Sequence, residues 1–193
     1  MATRSTPQRI VGAARRLLER GGADAVTMRR VGSAVGITAM AIYGHYPDRK
    51  ALLDAVADQG FEELAAQYPR QRLPAGLEPR LFKLTDTYVA YALAHPRLFE
   101  LMFLAPRAGA RRYPQDFKAG RSPTANPLAA VLEAGMASGE LRDDDPWEIA
   151  FELGALLEGF VMLYLGGRID ATTTQFRALI RRSVRRHLHG IRR

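Results

Sequence analysis

The stretch VTMRRVGSAVGITAMAIYGHYPDRKALL, residues 26–53, decides the fold. Its apolar residues recur at spacings of three and four, which predicts helices, and Gly36 divides the first part into two short segments. Thr27 precedes the first segment, Thr38 precedes the second and Asp48 opens a third helical pattern; all three residue types favour helix N-caps. Two short helices, a glycine turn and a third capped helix together predict a helix-turn-helix.

The same periodicity predicts an all-α chain of about nine helices. A first helix over about 7–20 precedes the motif, and the segment after Thr27 is predicted to turn Val31, Ala34 and Val35 inward. The remaining helices are predicted at about 48–67, 78–94, 96–104, 127–138, 146–165 and 171–189. Prolines and glycines interrupt 68–77, which predicts a loop, and 105–126, which predicts an irregular, mobile segment.

The composition excludes several classes of protein. The chain has 193 residues and is 47% hydrophobic, which is enough to build a buried core. It contains no cysteine, so disulfide and thiolate chemistry are excluded. It has no apolar run long enough to cross a membrane, and its first seven residues do not resemble a secretory signal. We therefore expect a cytoplasmic protein with no membrane partner.

The net charge of +8 is concentrated at the two ends of the chain. Residues 1–50 carry nine Lys/Arg against three Asp/Glu, residues 51–167 carry eleven against sixteen, and residues 168–193 carry eight against one. Basic ends around an acidic middle indicate a polyanionic partner for the ends. A solvated surface with a basic tail is the alternative interpretation of the same distribution.

Residues 9–54 resemble the N-terminal segment of the TetR family of transcriptional regulators. The matching positions are Thr27, the turn Gly36-Ile37-Thr38, Tyr43, Tyr46 and the run DRKALL at 48–53. The resemblance implies a helix-turn-helix DNA-binding domain over 1–50 and a ligand-sensing and dimerisation domain over 51–193. It also implies a homodimer that binds a double-stranded DNA operator and that forms through the last two helices.

The resemblance assigns phosphate contacts to several side chains. The Thr27 hydroxyl and the neighbouring N–H groups are expected to meet a phosphate. Tyr43 is expected to direct its phenol at a phosphate, with a half-buried packing tyrosine as the alternative. Arg49 stands where the family usually has lysine, and it keeps the charge while adding a fork of donors. Lys50 is a weaker candidate, and His45 is equally well a surface histidine.

Base reading rests on different residues. The exposed part of the second short helix carries small and apolar side chains, namely Thr38, Ala39, Met40 and Ala41. The alanines and the methionine cannot form bidentate hydrogen bonds, but they can contact thymine methyl groups. Hydrogen-bonded readout is therefore expected mainly from Arg29, at a position where some relatives contact guanine, with Thr38 second. Arg4 and Arg9 are candidates for a groove or phosphate contact near the N-terminal arm.

The rest of the chain offers candidates for the effector site and for the dimer interface. We predict that an apolar small molecule binds among Tyr88, Tyr91, Phe99, Met102, Phe103, Phe117, Phe151 and Glu158. The aromatic residues are alternatively core residues, and Glu158 is either a ligand contact or a paired interface carboxylate, because a lone buried carboxylate is costly. Gly154, Ala155 and Gly159 are small enough to permit close approach between helices.

Two other classes of function compete with this interpretation. An enzyme is disfavoured because the chain has no Ser/His/Asp spacing, no phosphate-binding glycine loop and no metal motif among its four histidines. We therefore expect no catalysis, no metal and no cofactor. A membrane-surface or RNA-binding module would use the basic last helix, but its apolar face of Ile180, Val184 and Leu188 is narrow and also suits dimer packing. We predict a ligand-responsive repressor that releases its operator when an apolar molecule binds.

Overall fold

The computed structural model describes residues 5–68, 74–107 and 109–192. Over these ranges the chain forms ten α-helices, one 3-10 turn at Ala23–Ala25 and no β-strand, which confirms the all-α prediction. The helices are α1 Thr6–Gly21, α2 Met28–Val35, α3 Ala39–Tyr43, α4 Arg49–Gln67, α5 Leu77–Ala94, α6 Pro96–Phe103, α7 Gln115–Lys118, α8 Asn126–Ala137, α9 Pro146–Leu165 and α10 Thr173–Ile191.

The helices belong to two compact units. The first unit contains the chain up to Glu63 together with His95–Ala110, so it holds α1, α2, α3, most of α4, and α6. The second unit contains Leu64–Ala94 and the chain from Arg111 onward, so it holds α5 and α7 to α10. Helix α4 begins in the first unit and ends in the second.

The core of the first unit is built by apolar side chains from α1, α2, α3 and α4. Its fully buried members include Ile10, Ala14, Leu18, Val31, Ile42, Leu52 and Val56. Helices of eight and five residues do not persist alone in water, so α2 and α3 depend on this shared core. Val31 and Val35 are buried as predicted, but the prediction for Ala34 is wrong, because Ala34 is exposed at the surface.

The turn between α2 and α3 depends on two glycines. Gly36 ends α2 with a φ of 77°, a left-handed conformation that L side chains rarely adopt, and its N–H donates to Gly32 O at 2.9 Å. A Cβ at Gly32 would lie 2.7 Å from Ile37 O, so the turn packs directly on the backbone of α2. Thr38 then caps α3 by accepting from the N–H of Ala41 at 3.1 Å.

Helix α6 packs closely against α4 in the first unit. A Cβ at Gly60 would lie 2.6 Å from Met102 Sδ, so the glycine lets the Met102 side chain approach α4 closely. The Phe103 ring meets Phe61 edge-on at 5.1 Å between centroids and lies 4.5 Å from Phe99. Phe99 and Met102 are buried. These three residues of α6, Phe99, Met102 and Phe103, therefore belong to the packing of the first unit.

In the second unit, α8 packs on α5 and α9, and α10 packs on α5 and α9. The side chain of Asp145 caps α9 by accepting from Trp147 N at 2.9 Å and Glu148 N at 3.3 Å. Ile180, Val184 and Leu188 are buried inside this unit. The idea that this face of the last helix serves dimer packing is therefore wrong, because the protomer itself covers it.

The segment 105–126 is less irregular than its prolines and glycines predict. It contains α7, and the Asp116 carboxylate accepts from Arg112 N at 2.5 Å and from Arg121 Nε at 2.9 Å. Tyr113 and Phe117 pack on the Phe151 side chain of α9. Local hydrogen bonds and aromatic contacts thus compensate for a sequence that is poor in helix formers.

Candidate nucleic-acid interface and sensor site

Helix α3 presents one buried side chain and an exposed apolar surface. Ile42 is completely buried and anchors the helix in the core. On the other side, 77% of Met40 and 47% of Tyr43 are exposed, and Thr38 and Ala41 are exposed beside them, with Ala39 partly covered. Exposed large apolar side chains on a short, well-anchored helix indicate a binding surface.

Helix α2 places two arginines next to this surface. Thr27 caps α2 with its hydroxyl, which accepts from Arg30 N at 3.2 Å, and remains exposed. Arg29 and Arg30 follow at once and are exposed, and within the described ranges neither guanidinium has a carboxylate partner. Because they are not neutralised inside the unit, both charges are available to a polyanion.

Arg49 is already engaged within the first unit. Its Nε donates to Val26 O at 2.8 Å and its Nη2 donates to Ala23 O at 2.5 Å, with Asp24 at 3.7 Å. These bonds satisfy carbonyls of the 3-10 turn and tie the start of α4 to the residue that precedes Thr27. Arg49 therefore holds the motif together, and its phosphate contact stays a prediction.

The other basic candidates differ in their surroundings. Lys50 is exposed and its Nζ lies 3.1 Å from Asp54 Oδ2, one turn along α4. His45 is exposed at the end of the motif. The Nη2 of Arg9 donates to Val35 O at 2.8 Å and so braces the end of α2, and a groove or phosphate contact by Arg9 stays a prediction. Arg4 lies outside the described residues.

The eight candidate effector residues belong to two different units. Phe99, Met102 and Phe103 lie in the first unit between α4 and α6, whereas the other five lie in the second unit. Tyr88 and Tyr91 are buried there. An effector site among these residues stays a prediction.

Sequence reasoning missed Tyr113. Its ring stacks on Phe151 at 4.3 Å with an interplanar angle of 16°, and Phe117 meets Phe151 edge-on at 5.4 Å. Tyr113 lies four residues before Phe117, a helical spacing that was hidden by Pro114 between them. The result is a three-ring aromatic cluster that leaves part of Phe151 exposed.

Glu158 and Tyr88 form a polar pair inside the second unit. Burial raises the pKa of Glu158 to about 7, and a hydrogen bond with Tyr88 opposes part of this shift. Burial and the neighbouring Glu158 raise the pKa of Tyr88 well above its ordinary value. The pair is a polar group among apolar neighbours, the arrangement that orients a ligand in an otherwise apolar site.

Part of the basic charge of the C-terminal end is paired within the second unit. Arg181 donates from Nε to Asp86 at 3.2 Å, Arg185 donates from Nε to Glu78 at 2.8 Å, and Arg192 lies 3.4 Å from Glu78. These contacts explain part of the C-terminal charge without any external partner.

Neither a metal site nor a membrane span is found in the described parts of the chain. No three His, Asp or Glu side chains converge there to hold a metal ion. None of the helices searched is long and apolar enough to cross a bilayer.

The first unit, with its glycine turn, capped short helices and exposed arginines, defines a helix-turn-helix DNA-binding protein. Comparison with known families agrees: residues 10–56 match the model described as bacterial regulatory proteins, tetR family. Residues 81–187 match the tetracyclin repressor-like C-terminal domain, which is more than half of the chain. The chain belongs to the TetR family of DNA-binding transcriptional regulators.

Curated relatives and solved structures extend over most of the chain. It is 28% identical over 163 residues to the tetracycline repressor protein class A from transposon 1721 of Escherichia coli, which covers 81% of this chain and 68% of that one. It is 28% identical over 187 residues to the HTH-type transcriptional repressor Rv1474c of Mycobacterium tuberculosis, covering 93% and 92%.

Among solved structures, a protein of unknown function from Rhodococcus sp. RHA1 superposes with a TM-score of 0.80 at 26% identity, covering 99% of this chain and 97% of that one. A single-residue variant of TetR from Acinetobacter baumannii AYE, solved in complex with minocycline, superposes with a TM-score of 0.68 at 18% identity, covering 97% and 96%. The second likeness shows the fold.

The pair of Glu158 and Tyr88 makes stability depend on pH. Because the folded state keeps the Glu158 proton up to about pH 7 and the ordinary pKa is 4.5, the free energy of unfolding falls as pH rises between these values. We expect Glu158→Gln to remove this slope, which amounts to at most about 3 kcal/mol. Urea titrations at pH 5, 6, 7 and 8 measure it. Glu148→Gln, at an exposed site of the same helix, is the control, and a parallel slope in both variants would contradict the assignment.

Proposed function

We propose that the protein is a repressor that binds a two-fold DNA operator as a homodimer and releases it when an apolar small molecule binds. The observation that carries the proposal is the exposed surface of α3 beside the exposed Arg29 and Arg30 of α2. Repression is supported by the names of the two curated relatives described above, which are both repressors.

The side chains of α2 and α3 suggest how the operator is read. Met40 and Ala41 carry no hydrogen-bonding groups, so they suit the C5-methyl groups of thymine in the major groove. Arg29 presents an exposed fork of donors, which suits O6 and N7 of guanine. Tyr43 is about half exposed at the end of α3, where its hydroxyl suits a backbone phosphate. The proposed operator half-site therefore combines guanine with neighbouring thymines.

Substitutions in α2 and α3 separate base reading from backbone binding. We expect Arg29→Ala to lose about 1–3 kcal/mol of binding free energy and to relax preference at one base pair. Tyr43→Phe should weaken all sequences about equally, because a phosphate contact carries no sequence information. Fluorescence anisotropy with the duplex selected by the wild-type protein, and with its single-base-pair variants, measures both effects. Arg30→Ala, at the adjacent exposed arginine, is the matched control and should keep the base preference of the wild-type protein. Unchanged base preference in Arg29→Ala would contradict the assignment of base reading to Arg29.

The exposed face of α9 supports the dimer. Phe151, Ala155, Gly159 and Leu163 follow one another at a spacing of four residues, and all four are exposed in the protomer. A Cβ at Gly159 or at Gly154 would meet nothing within 4 Å. A continuous apolar stripe on a 20-residue helix calls for a partner surface, and a second copy supplies one by two-fold symmetry.

Gly159→Leu tests this interface. The protomer has room for the side chain, and leucine is a better helix former than glycine, so the fold is retained. In a close helix-helix contact the added side chain costs about 1–3 kcal/mol, which raises the dimer dissociation constant by roughly 5–150-fold. Sedimentation equilibrium measures this constant. Ala137→Leu, at an exposed site of α8, should leave it unchanged. Equal dimer dissociation constants for both variants would show that this face of α9 does not form the interface.

The second unit supports a small-molecule site. It holds the buried Tyr88 and Tyr91, the Glu158 side chain and the aromatic cluster of Tyr113, Phe117 and Phe151. These residues provide apolar rings with one titratable polar pair. Helix α4 extends from Arg49, at the DNA-binding motif, into this unit, so a ligand that alters its far end acts on the motif. A ligand releases DNA only if it binds the DNA-incompetent state more tightly.

Release of DNA by an effector is tested on the preformed complex. Three compounds are titrated separately into the complex: minocycline, a different polycyclic aromatic compound that is neutral, and a long-chain fatty acid. DNA release is followed by anisotropy, and binding of the compound is followed by the fluorescence of Trp147. We expect at least one apolar compound to lower DNA affinity by about 5–150-fold. Phe117→Ala, in the aromatic cluster but outside the exposed stripe of α9, should weaken its binding without changing DNA affinity in its absence. Compounds that bind the second unit and never alter DNA affinity would defeat the proposal.

A further inference from the structure

The chain passes between the two units at three points, and each point is fastened by charged side chains. It leaves the first unit after Glu63, returns after Ala94 and leaves again after Ala110. Glu63 accepts hydrogen bonds from Arg15 of α1 and, at 2.9 Å, from Gln59.

At the second point, where the chain returns to the first unit, His95 and Arg97 contact Glu19 of α1. Nδ1 of His95 lies 3.1 Å from the Glu19 carboxylate, and Arg97 Nη1 donates to Glu19 O at 3.0 Å. At the third point, Arg107 binds α4, where Nη2 donates to Asp58 Oδ1 at 2.5 Å and Nε lies 3.5 Å from Asp54 Oδ1. Hydrogen bonds or ion pairs of charged side chains are therefore found at each of the three points where the chain passes between the units.

Arg107 differs from the other fastening residues in its burial. Only 2% of its side chain is exposed, and its guanidinium lies 5.4 Å from the centre of the Phe61 ring. A buried guanidinium is costly to separate from its carboxylates, because the charge would then be left without compensation. The segment that leaves α6 is consequently held to two successive turns of α4.

The same carboxylates extend the network towards the DNA-binding motif. Asp54 binds Arg107 and also binds Lys50, whose Nζ lies 3.1 Å away near the start of α4. Helix α6 touches α4 two residues after Asp58, where Gly60 allows Met102 to approach. Arg107 thus acts on the part of α4 between the motif and the close contact with α6.

We propose that Arg107 is a positioning residue for DNA binding, which fixes the direction of α4 by its ion pairs with Asp54 and Asp58. This inference rests on the proposed function, because it assumes a two-fold operator. In such an operator, half-sites about 34–36 Å apart must match the separation of two recognition helices. A direction of α4 that is fixed by a buried charge permits one separation, and α4 without this charge permits several.

The test measures tolerance of half-site spacing. The DNA is the duplex selected by the wild-type protein from a random pool, together with a variant that carries one extra base pair between the half-sites. We expect the wild-type dimer to bind the lengthened duplex about 100-fold more weakly than the selected one. In Arg107→Met the ratio should fall to about tenfold or less, and affinity for the selected duplex should also fall by about tenfold.

Companion variants separate positioning from stability. Arg107→Lys keeps the charge and should restore part of the spacing ratio, whereas Arg107→Met should not. Asp58→Asn should lower the ratio as Arg107→Met does; its side chain is 50% exposed, so this variant supplies the measurement if Arg107→Met fails to fold. Arg181→Met breaks an ion pair of the second unit and should leave the ratio unchanged.

The outcomes are distinguishable. A spacing ratio that falls in Arg107→Met and Asp58→Asn but not in Arg181→Met supports the inference. A wild-type ratio retained in both Arg107→Met and Asp58→Asn overturns the inference and leaves the proposed function intact. A wild-type protein that selects no duplex overturns the proposed function and this inference with it.

Discussion

The first unit depends on the burial of apolar side chains that four helices share. Helices of eight and five residues lose more conformational entropy than their few hydrogen bonds recover, so α2 and α3 are stable only when Val31 and Ile42 join the core. This constraint requires the tight turn at Gly36 and the close approach at Gly32. It also leaves the opposite faces exposed, which is how Met40, Tyr43 and Arg29 become available to DNA.

Several arginines of the first unit stabilise its structure. Arg9 and Arg49 donate to backbone carbonyls at the end of α2 and before its start, so both hold the motif from outside. Arg107 does the same for α4 through carboxylates. A guanidinium suits these tasks because it presents several donors in a fixed plane and keeps its charge when partly buried. The basic charge of the N-terminal end is therefore partly structural.

The second unit combines packing with a polar pair. Its apolar helices bury Tyr88 and partly bury Glu158, whose proton is retained towards neutral pH. The exposed stripe of α9 and the aromatic cluster of Tyr113, Phe117 and Phe151 share one residue, Phe151. One helix thus carries the proposed dimer surface and part of the proposed effector site, so assembly and sensing are physically close in this unit.

The sequence by itself determined the helices other than α7, the caps at Thr27, Thr38 and Asp48, and the DNA-binding motif, because each of these depends on residues within a few positions of one another. Thr27, Gly36, Thr38 and Asp48 behave as their local chemistry predicts. Only the tertiary structure decided which side chains are exposed and which are engaged in contacts within the protein. It engaged Arg9 and Arg49 with carbonyls, exposed Ala34, buried the apolar face of α10 and divided the aromatic residues between two units. It also revealed Arg107, whose carboxylate partners lie about fifty residues earlier in the chain. Such contacts join distant segments, and their partners are chosen by the packing of whole helices, which periodicity along one segment does not specify.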